Sequence, residues 1–170
     1  MVFVIDLDDT ICDTDAFSEK YILKFFEEHG WKYKQIAKDV RFAEAKFDWD
    51  TKTAVEWYKK YGDEMMANFP CKEGAVEIIN FLHDLGHKIV IATARANDWH
   101  TEPERITKEW IERNKIKCDK LCIGRVDKEK VCEEEDADVF VDDDVKITSR
   151  VAETFSGKKG KKVFLSTTDK

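Results

Sequence analysis

The chain has 170 residues, enough for one ordinary domain or one core with a small insertion, and too few for two large domains. Lys and Arg total 29 against 36 Asp and Glu, a formal net charge of −7, which argues against a general affinity for the phosphate backbone of nucleic acid, normally met by a basic face. With 42% hydrophobic residues, seven glycines and two prolines, the disordered and collagen-like classes are excluded as well.

In chain order, Val2-Phe3-Val4-Ile5 is a short continuous apolar run and is predicted to be a strand buried on both faces. Residues 15–69 hold no good strand and are predicted to be helical. Phe17, Tyr21, Ile22, Phe25 and Phe26 share one apolar face, and Val55, Tyr58, Gly62, Met65 and Phe69 another. This insertion is expected to build a small core of its own, which explains why it holds 13 of the 20 aromatic residues: a tiny helical unit needs bulky side chains to bury enough area. One or two of those rings, turned to a pocket, would stack on a flat group such as a nucleobase.

Ala75, Ile78, Ile79, Leu82 and Leu85 recur at helical spacing and Gly86 is placed to stop that helix. Lys88 to Ala92 is the next strand. A helix marked by Ile106, Trp110 and Ile111, a strand at Leu121 to Ile123, a strand at Val139 to Val141, a helix marked by Val145, Thr148, Val151, Ala152 and Phe155, and a last strand at Val163 to Leu165 complete the chain. Strand and helix alternate, so the expected fold class is α/β: a Rossmann-like parallel sheet with flanking helices, its core formed by residues 1–14 and 70–170.

No apolar run approaches the roughly 18 residues of a spanning helix, and the N-terminus opens directly on its strand. The five cysteines, Cys12, Cys71, Cys118, Cys122 and Cys132, are odd in number and scattered, which suits a reducing compartment. The expectation is a cytoplasmic protein without a membrane partner.

Two acidic clusters follow strands: Asp6, Asp8 and Asp9 after the first, Asp142, Asp143 and Asp144 after the fourth. Parallel strands end on the same edge of a sheet, so both clusters reach the crevice where open α/β sheets bind ligands. Their mutual repulsion must be relieved by protonation or by a cation. Hard oxygen ligands favour Mg2+, which takes a remaining position from a phosphate. The plainer alternative, that these aspartates only make turns and caps, suits one such cluster better than two on one edge.

These residues carry a resemblance. Asp6-x-Asp8-x-Thr10 after the first strand, Thr93 at the end of the second, Lys128 (with Lys130 as runner-up) at a helix start, and Asp142-Asp143 after the apolar run Val139 to Val141 resemble the motifs of the haloacid dehalogenase-like superfamily. The resemblance implies that residues 15–69 are a helical cap. It implies a magnesium-dependent phosphomonoesterase in which Asp6 is the nucleophile and Asp8 the general acid and base, while Thr93 and Lys128 bind phosphoryl oxygens. Asp6, Asp8 through its backbone carbonyl, Asp142 and Asp143 would surround the ion, and Thr10 would meet the substrate.

Glu73-Gly74-Ala75-Val76-Glu77, Val126-Asp127-Lys128 and Ala137 to Asp143 are similar to stretches of small cytosolic 5′(3′)-deoxyribonucleotidases and their bacterial relatives, with Ala94-Arg95 where the animal enzymes have Ser-Pro. A nucleoside monophosphate is therefore the favoured partner. Alternatives are a sugar phosphate or a polynucleotide end and, in another class, a phospho-accepting or binding module without catalysis. Too little chain follows Asp144 for a complete receiver module, and residues 15–69 carry 10 basic and 11 acidic side chains, a balance that favours a mononucleotide over a polymer. In the loop after the second strand, Arg95 is expected to touch substrate, since guanidinium suits phosphate and base edges, and His100 is expected to be exposed.

Overall fold

A computed structural model describes residues 1–38, 40, 42–97 and 100–166. Five strands, β1 (Val2–Ile5), β2 (Lys88–Ala92), β3 (Lys120–Cys122), β4 (Val139–Asp142) and β5 (Lys162–Leu165), form one parallel sheet in the order β3-β2-β1-β4-β5. β1 lies at the centre, paired Phe3 to Ile89 on one side and Phe3 to Val139 on the other. The strands succeeding β1 are laid down to opposite sides of it, so the crevice of this topology opens at the carboxyl ends of β1 and β4. The third strand begins one residue earlier than its apolar run predicts, because Lys120 extends the register at the sheet edge.

Alternation along the strands divides the core in two. Val4, Val90, Ala92 and Phe140 point to the face covered by α5 (Lys128–Glu134) and α6 (Val145–Phe155), through Val131, Cys132, Val151 and Phe155. Phe3, Ile5, Ile89, Ile91 and Val139 point to the other face, covered by α3 (Ala75–Asp84) and α4 (Pro103–Arg113), through Ile79, Ile106, Trp110 and Ile111. These strands read as continuous apolar runs because both their faces are buried. α3 ends as predicted, with Gly86 in the left-handed conformation at φ 83° just past its last turn.

Between β1 and α3 lie α1 (Asp15–Glu28), a single 3-10 turn (Ala43–Lys46) and α2 (Thr51–Asn68). α1 buries Ile22, Phe25 and Phe26. The rings of Phe26, Phe47, Trp49 and Trp57 meet edge to face or tilted, with centroids 5.1–5.6 Å apart. The buried face of α2 consists of Trp57, Tyr61, Gly62, Met65 and Met66, rotated from the predicted stripe: Val55 and Tyr58 are only half-buried and face a cavity. A second correction concerns the core. The insertion does not bury its rings separately. Its apolar cluster runs through Met66 and Phe69 into the α3/α4 face of the sheet, where Trp110 Nε1 donates to the Phe69 carbonyl at 2.8 Å. Among the described residues no helix is long and apolar enough to cross a membrane.

Candidate active site

Six aspartates follow β1 and β4, and the fold divides them by task. Asp9 sits in the left-handed region at φ 57°, where its carboxylate accepts from the amides of Thr14 (2.9 Å) and Asp15 (3.0 Å) at the start of α1. Asp144 caps α6, accepting from the amides of Lys146 (2.7 Å) and Ile147 (3.3 Å). These two satisfy helix N-termini, the ordinary occupation of aspartate after a strand.

Asp6, Asp142 and Asp143 converge instead. Each offers a carboxylate oxygen, and the three oxygens lie within 4.8 Å of one another. Asp6 and Asp142 are buried. Lys128, at the first position of α5, reaches into the group: its buried ammonium donates to Asp6 and, at 2.7 Å, to Asp142 Oδ2. The other oxygen of Asp142 accepts from the Asp144 amide at 2.8 Å. Burial, opposed by Lys128 and reinforced by the negative charges of Asp142 and Asp8, pushes the Asp6 carboxyl up to about 8. Burial would lower Lys128, but the two carboxylates outweigh it and hold the ammonium above its usual range. Lys130 points away: its side chain is 66% exposed and lies 3.7 Å from Asp127. Three hard carboxylates around one point fit a divalent cation of the magnesium kind.

The carboxylate of Asp8 lies outside this trio. Arg95 grips it, Nε donating to Oδ1 (3.2 Å) and Oδ2 (3.0 Å) and Nη2 to Oδ1 (2.7 Å). Thr93, fully buried at the end of β2, donates its hydroxyl to Asp8 Oδ2 at 3.2 Å. Burial tends to raise Asp8, but Arg95 outweighs it and holds the carboxyl below the usual range. Arg95 is itself buried, with Nη1 on Thr107 at 3.3 Å and its guanidinium 5.7 Å from the centre of the Phe69 ring. Thr10 is also buried beside these strands' ends, and its hydroxyl has no hydrogen-bond partner among the described residues.

A cavity of about 610 Å³ opens from this edge toward the insertion. Asp8 and Arg95 line it, together with the rings of Phe42, Trp57, Tyr58 and Phe69 and the carboxylates of Asp9, Asp15 and Glu44. His100 belongs to the same lining and is buried, contrary to the exposure expected of it. Its Nε2 lies 3.1 Å from the Tyr58 hydroxyl and its Nδ1 3.2 Å from Asp63 Oδ1. Sequence reasoning missed Asp63 altogether. Its single signal is weak: Gly62 beside it, in the interior of a helix where glycine is costly.

Residues 1–112 match the family model described as haloacid dehalogenase-like hydrolase. No curated protein sequence matches the chain. Solved structures do. A hydrolase from Streptococcus pneumoniae TIGR4 superposes with a TM-score of 0.66 at 14% identity, covering 99% of this chain and 93% of that one. A HAD-superfamily hydrolase from Geobacter sulfurreducens gives 0.55 at 14% identity, covering 89% and 85%. The protein YfnB from Bacillus subtilis, solved bound to magnesium, gives 0.61 at 11% identity, covering 96% and 93%. Identities this low speak for the shared α/β fold.

Proposed function

The chain belongs to the haloacid dehalogenase-like hydrolase family and is an enzyme of that class; from that premise we propose that it is a magnesium-dependent phosphomonoesterase working through an aspartyl phosphate. The carrying observation is the convergence of Asp6, Asp142 and Asp143 with the Lys128 ammonium at the ends of two neighbouring parallel strands. In this reading Asp6, Asp142 and Asp143 hold Mg2+, with Asp8 contributing its backbone carbonyl, as YfnB is solved with the same metal. Bound there, the ion would supply positive charge, favouring the ionised form of Asp6 and offsetting the charge on phosphoryl oxygens.

The residues of the chain divide the remaining work. An oxygen of Asp6 attacks phosphorus in line, forming the acyl-phosphate bond as the ester oxygen departs. Lys128 offsets the charge of the phosphoryl group, which a carboxylate nucleophile would otherwise repel. Thr93 and Thr10 offer hydroxyls to phosphoryl oxygens. Asp8 protonates the leaving alkoxide, then takes a proton from the water that cleaves the acyl phosphate, releasing inorganic phosphate and restoring Asp6. Arg95 keeps Asp8 in the ionised form that the second step uses. For the first, Asp8 must gain a proton, which the monoanionic form of the phosphate ester brings as its phosphoryl oxygens compete for the same guanidinium and loosen its hold.

The substrate we favour is a nucleoside monophosphate. The cavity lies in the volume range of small-molecule sites, and its lining brings the rings of Phe42, Trp57, Tyr58 and Phe69 within reach of the site at Asp8 and Arg95. Residues 15–69 then act as a cap over the core formed by 1–14 and 70–170. The test is phosphate release from a panel of nucleotides and sugar phosphates, with and without chelator, by the wild type and Asp6→Asn. Turnover by wild type that chelator and Asp6→Asn both abolish is the expected result. Equal turnover by the two proteins would remove Asp6 from its role, and faster turnover of sugar phosphates than of any nucleotide would overturn the substrate class alone.

A further inference from the structure

The cavity wall contains a hydrogen-bonded chain that phosphoryl transfer does not use. Asp63 on α2 accepts from the backbone amide of Thr101 at 3.2 Å and from its hydroxyl, and faces Nδ1 of His100 at 3.2 Å. Burial tends to raise the Asp63 carboxyl, but the hydrogen bonds from Thr101 and His100 outweigh it and keep it ionised. An ionised carboxylate only accepts, so Nδ1 of His100 carries the proton. Burial holds the imidazole below its usual pKa, against the pull of Asp63, so the ring is neutral and its Nε2 is a lone pair. The Tyr58 hydroxyl, 3.1 Å away, therefore donates to Nε2. Its proton is committed to His100, and toward any other group the phenolic oxygen acts as an acceptor.

Packing holds the same arrangement. A Cβ at residue 62 would lie 3.0 Å from the Tyr58 ring and 3.6 Å from His100 Nδ1. Glycine in a helix interior is destabilising relative to alanine, and here its place lets both rings approach α2. Tyr58 and His100 both line the cavity that Asp8 and Arg95 line.

We propose that Tyr58 determines specificity by offering a hydrogen-bond acceptor to the leaving group, and that His100 and Asp63 are positioning residues that fix this polarity. The proposal rests on the phosphomonoesterase reading and deepens it: the favoured esters carry an O–H or N–H donor on the alcohol portion, as the sugar and base of a nucleotide do. Tyr58 touches a part of the substrate remote from phosphorus, so its contribution is to binding that is the same in ground and transition states, and it is read in KM.

The experiment compares p-nitrophenyl phosphate, whose leaving group has no donor, with the common 2′-deoxynucleoside 5′-monophosphates. Each is assayed with Mg2+ on the wild type, Tyr58→Phe, Asp63→Asn and Asp6→Asn. Tyr58→Phe is expected to raise KM for the best nucleotide about three- to tenfold, the worth of one neutral hydrogen bond, with kcat held. Both constants for p-nitrophenyl phosphate stay within about twofold. Asp63→Asn removes the constraint on the imidazole tautomer and is expected to raise the nucleotide KM in the same direction by less. A wild type that binds nucleotides no more tightly than p-nitrophenyl phosphate overturns the proposal, as does a Tyr58→Phe variant that changes both substrates equally or neither. Turnover that survives Asp6→Asn overturns the phosphatase reading itself, whatever Tyr58→Phe shows.

Discussion

Arg95 and Asp8 come from loops 87 residues apart and meet as a fork on a carboxylate, with Nη2 to Oδ1 at 2.7 Å and Nε to Oδ2 at 3.0 Å. The guanidinium side chain is 3% exposed and the Asp8 side chain 34%, so the cation is buried while its partner keeps part of its hydration. Arg95→Met leaves Asp8 without its counter-charge. The expected cost is about 2–3 kcal/mol, below that of breaking a fully buried pair because Asp8 stays partly solvated. Asp8 has a lowered carboxyl pKa in the fold. The pair therefore stabilises the protein fully above the unfolded value of about 3.9 and loses this as pH falls through the folded value. Urea unfolding of the two proteins should show the full gap at pH 7 and a shrinking one below about pH 4. A gap that is constant with pH would mean that Arg95 stabilises by packing alone.

Asp6 has the opposite sign. Its carboxyl is raised to about 8, so the folded protein binds that proton more tightly than the unfolded chain does. The ionised group then destabilises the fold progressively as pH rises from about 4, the unfolded value, to about 8. Asp6→Asn is expected to lower turnover by at least about 10³-fold while making the metal-free protein no less stable. Its advantage in melting temperature over the wild type should grow across that interval of pH. Melting curves without Mg2+ between pH 5 and pH 8 check this, and an advantage that falls with pH would contradict the sign.

Much of this was legible in the sequence. Phe3, Ile89 and Phe140 sit in strands buried on both faces, which leaves an apolar run too short for a helix, and Asp6 and Asp142 follow such runs directly. Lys128 could be placed at a helix start, but only the fold separates it from Lys130, two residues on and turned to solvent. The face of α2 was misread because it has two apolar sides: Trp57, Tyr61 and Met65 enter the core while Val55 and Tyr58 line the cavity, and periodicity cannot distinguish a core wall from a cavity wall. Arg95 on Asp8 and His100 on Asp63 are tertiary pairings between distant segments, with no signature in local spacing.

Mg2+ should stabilise the wild type through the trio of Asp6, Asp142 and Asp143. At a concentration 100-fold above Kd the gain is about 2.7 kcal/mol. In a chain of this size that raises the melting temperature by about 5–10 °C. Asp143→Asn keeps two carboxylates but loses one charge, and is expected to cut the shift by more than half at equal Mg2+. Thermal melts across a magnesium titration measure both. A shift that is unchanged in Asp143→Asn would place the ion elsewhere.

Lys128 and Lys130 make a matched pair of tests on one short helix. The Lys128 ammonium lies between Asp6 and Asp142 with its side chain 4% exposed. Lys128→Met leaves two buried carboxylates facing each other, and Asp6 relieves part of the repulsion by holding its proton. The expected loss is at most about 3–5 kcal/mol of stability, the cost of removing one partner of a buried ion pair, reduced by what protonation of Asp6 recovers. Turnover should fall by about 10²-fold or more, because the variant lacks the charge that balances the phosphoryl group and favours the ionised form of Asp6. Lys130→Met alters a solvent-facing side chain and should stay within about 0.5 kcal/mol of the wild type with turnover intact. Chemical denaturation and phosphate release on both variants measure this. Equal effects at the two positions would mean that α5 contributes only its helical packing, and that charge balance at Asp6 comes from another group.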